Sequence, residues 1–93
     1  MRYQDELLAI IRKHVSNGKV YLFGSRARGT NTPESDIDIA IDGGKRLADG
    51  VLGLIREEIE ESTIPFFVDV LDFHTLDNAM QQTILKEGVP WKI

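Results

Sequence analysis

The stretch that most constrains the fold is SDIDIAID, residues 35–42, in which isoleucine occupies every second position. Successive side chains of a β-strand point to opposite faces, so this alternation predicts a strand with one apolar face. Ile37, Ile39 and Ile41 would face a core. The opposite face would carry Asp36, Asp38, Ala40 and Asp42. Two carboxylates in the middle of a strand are unusual, because an unpaired charge is costly to bury.

The rest of the chain alternates between helical and strand-like segments. A first helix is predicted from about Tyr3 to Val15, followed by a strand over Val20–Phe23. After the strand described above, a second helix is predicted from Leu47 to near Ser62, and a further strand just after Pro65. A third helix, capped by Thr75 or Asp77, is predicted to run to about Lys86 and to stop at Gly88, before a final extended segment over 89–93. This order predicts an α/β (α+β) fold with a small mixed sheet flanked by helices, and residues 1–93 are expected to form a single domain.

Composition excludes several classes of function. The net charge is −4 and no basic stripe is visible, so direct binding of nucleic acid is not expected. No apolar run approaches the roughly 20 residues of a membrane helix, and the acidic N-terminal segment is unlike a signal peptide. The chain has no cysteine, which excludes disulfides and thiolate metal sites. A cytoplasmic protein without a membrane partner is expected.

Asp36 and Asp38 share one face of the predicted strand, with Cα atoms about 6.6 Å apart. Two carboxylates about 4 Å apart would repel by roughly 4 kcal/mol at an effective dielectric constant near 20, and a divalent cation reverses the sign of that interaction. Oxygen ligands without histidine or cysteine favour Mg²⁺, with Mn²⁺ as the alternative. Magnesium bound by so few carboxylates usually completes its shell with water and substrate phosphates.

The turn before this strand suits phosphate groups. Gly24 permits a close backbone approach, and Ser25 offers a hydroxyl and an N–H at the start of a predicted helical turn. Arg26 and Arg28 add two cations nearby. A phosphate contact is favoured for Arg28 and evenly balanced for Arg26, with solvated or partner-facing arginines as the alternative. Together with the aspartates, the turn predicts a site for a metal-bound nucleoside triphosphate.

A third carboxylate, Asp69, lies within the apolar run FFVDVL. A strand tolerates a buried aspartate best where the side chain meets a metal ion or a catalytic proton. Asp72 competes for this role, but the two residues face opposite ways on one strand. Asp72 is close to the strand end, where a turn or capping role is common, so Asp69 is preferred.

At these residues the chain resembles the DNA polymerase β-like nucleotidyltransferase superfamily. The signature of that superfamily is Gly-Ser, about ten residues, Asp-any-Asp and a later strand aspartate. Here Gly24-Ser25 is followed by ten residues, then Asp36-Ile37-Asp38, with Asp69 downstream. The string FGSRARG…SDIDIAI and the short chain look most like the minimal nucleotidyltransferase (MNT) antitoxins, which are paired with HEPN-domain ribonuclease toxins.

The resemblance implies transfer of AMP from ATP with the help of two Mg²⁺ ions. It implies that Asp36, Asp38 and Asp69 bind the metal ions, and that Asp69 also helps to deprotonate the acceptor. By the same resemblance, the glycine and serine of the turn hold the β- and γ-phosphates, with an arginine nearby. The acceptor in such systems is a tyrosine of the HEPN toxin.

A second hypothesis is a binding module that neutralises a HEPN toxin by occlusion, with little or no catalysis. The sequence leaves open the choice between ATP and other nucleotides, and the oligomeric state. Because the chain ends soon after the third predicted strand, we expect a partner protein to complete the acceptor side of the site.

Overall fold

The computed structural model describes residues 2–93, and their strands form one mixed sheet. The strands are β1 (Lys19–Phe23), β2 (Ile37–Asp42), β3 (Val68–Asp72) and β4 (Val89–Lys92). Their order is β3-β2-β1-β4. Strand β1 pairs antiparallel with both β2 and β4, whereas β2 and β3 are parallel. The predicted α/β fold with a small mixed sheet is therefore confirmed.

Helices pack on both faces of this sheet. They are α1 (Gln4–Arg12), α2 (Ser25–Arg28), α3 (Val51–Glu60) and α4 (Asn78–Glu87), with a 3₁₀ turn over Phe73–Thr75. The three isoleucines of β2 are fully buried against α1 and α3, as their alternation predicts. None of the helices within residues 2–93 combines the length and apolarity needed to cross a bilayer.

The opposite face of the sheet holds a smaller core beneath α4. Tyr21 and Ala40, which are paired across β1 and β2, pack there with Phe73 and Ile84. Ala40 is completely buried, so this face is covered in its middle rather than open to solvent along its whole length. Asp38 and Asp69, which are paired across β2 and β3, lie at one end of the same face.

The second predicted helix corresponds to α3. It was predicted to begin at Leu47, but it begins at Val51. The Leu47 N–H does not enter the helix but donates to the carboxylate of Asp72, 2.9 Å away. Gly50 then adopts a left-handed φ of 84° immediately before the helix, which separates Leu47 from it. Leu47 still packs against the main core, which explains its helical spacing in the sequence.

The other boundaries agree more closely with expectation. Strand β3 begins at Val68, and the Phe67 carbonyl before it already accepts a hydrogen bond from Ile37. Asp77, rather than Thr75, caps α4 by accepting from the Met80 N–H at 2.8 Å. The extended tail is β4, which adds a fourth strand to the sheet.

Candidate active site

Strands β2 and β3 place two of the predicted site residues side by side. Their parallel register pairs Asp38 with Asp69, and the antiparallel register of β1 places Phe23 on the other side of Asp38. Residues paired across neighbouring strands point to the same face, so the two carboxylates share the face opposite the isoleucine core. Both are partly buried, whereas Asp36 lies one residue before β2 and is exposed.

The negative charges at this end of the sheet act on one another. Burial raises the pKa of Asp38 above its ordinary value, and the charges of Asp69 and then Asp36 raise it further. Arg28 acts in the opposite direction and lowers it. The three predicted acids therefore form one electrostatic group with a surplus of negative charge.

Gly24 joins β1 to α2 and lies against this group. Its φ of 72° and ψ of −155° define a conformation that residues with a Cβ rarely adopt. A methyl group at this position would run into a carboxylate oxygen of Asp38 and lie 3.2 Å from its carboxyl carbon. The glycine of the turn is thus required both by the backbone and by the neighbouring aspartate, and Ser25 follows as the first residue of α2.

The two arginines of α2 have different surroundings. The Arg26 guanidinium donates to the Ser35 carbonyl from Nε at 3.2 Å and Nη2 at 2.8 Å, and its carbon lies 4.7 Å from the centre of the Phe66 ring. Arg26 therefore connects α2 to the residue before Asp36. Arg28 is half exposed and has a distant ion pair with Glu87 at 3.8 Å. A phosphate contact by either arginine remains a prediction.

Asp72 lies away from the other acids and has structural contacts. Its side chain is almost fully buried and accepts hydrogen bonds from the backbone N–H groups of Leu47 and His74, at 2.9 and 3.0 Å. It faces the opposite side of β3 from Asp69, as strand alternation requires. The structure thus brings Asp69, and not Asp72, next to Asp38.

The donor set at this site fits a hard divalent cation. Asp38, Asp69 and Asp36 offer only carboxylate oxygens, and their mutual repulsion favours a cation among them. In the part of the chain that the structure describes, no three His, Cys, Asp or Glu side chains already form a metal-binding cluster. Such an open arrangement suits a magnesium ion that shares its shell with water and phosphate oxygens.

Two polar contacts, one beside the site and one at the opposite end of β2, have no signal in the sequence. One is the pair formed by Arg26 and the Ser35 carbonyl. The other lies at the far end of β2, where His74 Nε2 is 2.6 Å from Asp42 Oδ1. Burial opposes ionisation of Asp42, but hydrogen bonds from the Gly44 N–H and from His74 outweigh it, so its pKa lies below the ordinary value. No spacing rule relates positions 42 and 74.

The fold and the paired acids are those expected of a nucleotidyltransferase, and comparison with known sequences agrees. The family described as "Polymerase beta, Nucleotidyltransferase" matches residues 5–90. The chain belongs to this family and is a nucleotidyltransferase, which confirms the resemblance seen in the sequence.

More particular similarities point to one group within the family. The chain is 32% identical over 77 residues to "Probable protein adenylyltransferase MntA" of Haemophilus influenzae, covering 83% of this chain and 68% of that protein. It is 27% identical over 89 residues to "Protein adenylyltransferase MntA" of Shewanella oneidensis, covering 91% and 61%. The chain thus spans about two thirds of the length of these relatives.

Solved structures show the same fold. A crystal structure of a toxin–antitoxin with AMP-PNP superposes with a TM-score of 0.81 at 23% identity, covering 97% of this chain and 73% of that one. A mutant of the MntA–HpeT toxin–antitoxin superposes with a TM-score of 0.78 at 18% identity, covering 97% and 73%. At these identities the agreement concerns the fold.

Proposed function

We propose that this chain is an Mg²⁺-dependent protein adenylyltransferase that acts as an antitoxin, transferring AMP from ATP to a tyrosine of a partner HEPN ribonuclease toxin. We further propose that residues 1–93 form one minimal nucleotidyltransferase domain in a cytoplasmic protein. The similarity to MntA adenylyltransferases and to a toxin–antitoxin with AMP-PNP supports the class of reaction and the kind of partner.

The observation that carries the proposal is the register of β2 and β3. It pairs Asp38 with Asp69 at the end of the sheet where Gly24 follows β1, so close to Asp38 that a Cβ at position 24 would collide with its carboxylate. Carboxylates next to a glycine turn provide a place for a metal-bound triphosphate and a base for its acceptor.

In the proposed reaction an acceptor hydroxyl oxygen forms a bond to the α-phosphorus of ATP. The bond from that phosphorus to the bridging oxygen of the β-phosphate breaks, and pyrophosphate leaves with the electron pair. Asp69 accepts the hydroxyl proton, and Ser25 and Arg28 orient the phosphates from α2. Mg²⁺, held by Asp36, Asp38 and Asp69, would supply the positive charge that stabilises the pentavalent phosphorus and the leaving pyrophosphate.

The direct test is to incubate the full chain with Mg·ATP and the protein encoded by the neighbouring open reading frame, and to weigh that protein by mass spectrometry. We expect the mass of one or more AMP groups to be added. Replacing Asp38 with Asn should lower the rate on the order of 100-fold, because it removes one of the carboxylates proposed to hold Mg²⁺. Asp49→Asn, an exposed aspartate in the loop before α3, is the matched control.

The occlusion hypothesis gives a different result in the same experiment. Inhibition of the neighbour's ribonuclease activity without added mass, unaffected by Asp38→Asn, would show that the chain acts by binding and would refute the enzymatic proposal. Loss of transfer in the Asp49→Asn control would point to a general effect of lowered negative charge and would remove the assignment of Asp38.

A further inference from the structure

A cavity of about 500 Å³ opens at the outer edge of β3, directly beside Asp69. Strand β3 is an edge strand, so this cavity lies between its free edge, the end of α3 and the segment that joins them. Its apolar wall consists of Ile59, Ile64, Pro65, Phe66, Phe67 and Val68. Cavities of this size are large enough to hold most of a bulky side chain or small ligand.

The walls of this cavity are mainly apolar, and two of the side chains that line it are held in place by other contacts. The Phe66 ring is packed between Tyr3, at 5.7 Å between ring centres, and the Arg26 guanidinium. Arg56 donates to the Val70 carbonyl at 2.6 Å, which directs this cation to the backbone of β3. By contrast, Phe67 is 66% exposed, the most exposed of the large apolar side chains in residues 2–93.

We propose that this cavity binds the aromatic ring of the acceptor tyrosine and that Phe67 is a specificity-determining contact for that ring. The inference rests on the proposed function and adds to it the place where the acceptor enters. Asp69 is common to both regions: it faces Asp38 on the sheet and it lines the cavity. In this proposal the hydroxyl of a bound ring lies beside Asp69, the residue that is to accept its proton.

The chemistry of the walls favours a phenol over the other hydroxyl groups of proteins. A serine or threonine side chain is too small to fill a cavity of about 500 Å³, and its backbone would have to enter an apolar cleft. A phenol has a flat apolar body that packs against aromatic walls, and a polar end that needs a partner. An exposed phenylalanine at the rim is suited to such a ring and is otherwise unfavourable in water.

The test uses the full chain, metal-free or with Mg·ATP, and N-acetyl-L-tyrosinamide as the probe. Titration is followed by NMR at the backbone N–H groups of residues 66–69. We expect saturable shifts there, and about fivefold weaker binding in Phe67→Ala, because one aromatic contact is lost. Leu85→Ala is the matched control, since Leu85 is also 50% exposed but lies on α4 outside the cavity.

Absence of saturable shifts at residues 66–69, or equal binding by wild type and Phe67→Ala, would overturn the proposal. Equal affinity for N-acetyl-L-phenylalaninamide would overturn it as well, because the hydroxyl would then not reach Asp69. The Gly24 and Ser25 N–H groups report on Mg·ATP in the same samples. Nucleotide binding there without tyrosinamide binding refutes the cavity alone, whereas absence of nucleotide binding refutes the proposed function.

Discussion

The close approach of Gly24 and Asp38 can be tested by measuring how much a side chain at position 24 lowers the free energy of unfolding. Replacing Gly24 with alanine forces a residue with a Cβ into φ 72° and ψ −155°, a conformation that costs roughly 1–3 kcal/mol. The new methyl group also collides with the Asp38 carboxylate, whose rotation away from it would cost about 1 kcal/mol. We expect Gly24→Ala to lower the free energy of unfolding by about 3 kcal/mol.

The chain offers a matched control for the backbone part of this effect. Gly29, at the other end of α2, has a similar φ of 75°, and a Cβ there would meet nothing within 4 Å. Gly29→Ala should therefore lower the free energy of unfolding only by the left-handed strain, about 1 kcal/mol. The difference in free energy of unfolding between Gly24→Ala and Gly29→Ala has two sources: the collision with Asp38 and the less favourable ψ of Gly24.

A double-mutant cycle separates these two contributions. Asp38→Ala removes the carboxyl group, so Gly24→Ala should be about 1 kcal/mol less destabilising in that background than in wild type. The same cycle with Gly29→Ala should be additive. Unfolding in urea is followed by the fluorescence of Trp91, the only tryptophan, which is buried in the core. Additive energies for the Gly24–Asp38 pair would refute the contact.

Four further expectations follow from the charged residues of the sheet and of α2. In metal-free buffer Asp38→Asn should unfold at the same or higher urea concentration than wild type, because repulsion from Asp69 is relieved; a marked decrease would contradict this. Since folding raises the pKa of Asp38, metal-free wild type should lose stability relative to that variant as pH rises from 3.8 through the raised value. The opposite sign holds for Asp42, whose pKa is lowered: its contribution is complete above pH 3.8 and disappears in stronger acid, so Asp42→Asn should flatten the acid limb of a stability-against-pH curve. Arg26→Lys should lower the free energy of unfolding by about 1–2 kcal/mol in the same urea assay, because lysine cannot reproduce the paired hydrogen bonds or the ring contact; equal stability would show that neither contact matters.

Local patterns predicted the elements well because the relevant forces are local. The alternation in β2 identifies its buried face without any knowledge of its neighbours, and the acidic cap at Asp77 satisfies N–H groups within its own helix. The start of α3 was predicted wrongly because the Leu47 N–H has a partner 25 residues away. A helical spacing of apolar residues cannot reveal that one backbone group bonds elsewhere.

The site was predictable only in part for the same reason. The alternation of one strand predicts that Asp36 and Asp38 lie on the same side, although Asp36 lies just before β2. The neighbouring position of Asp69 depends on which strand pairs with β2 and in which register. The contacts of Arg26 depend on where the Ser35 carbonyl and the Phe66 ring lie after folding. An arginine in a glycine turn is equally suited to a phosphate, so its sequence position could not distinguish the two.

The acids lie on the part of the sheet face that α4 and the 3₁₀ turn do not cover completely. Three cross-strand rows succeed one another along β1 and β2: Phe23 with Asp38, Tyr21 with Ala40, and Lys19 with Asp42. Only the middle row is apolar in both strands, and both of its residues are buried in the core beneath the 3₁₀ turn and α4. Phe23 of the first row packs against the same core but is only partly buried. The first row is left partly open, so its carboxylate stays partly accessible to solvent while the neighbouring core holds its strand in register. The same sheet can therefore be stabilised by α4 without burying the charges that the proposed reaction needs.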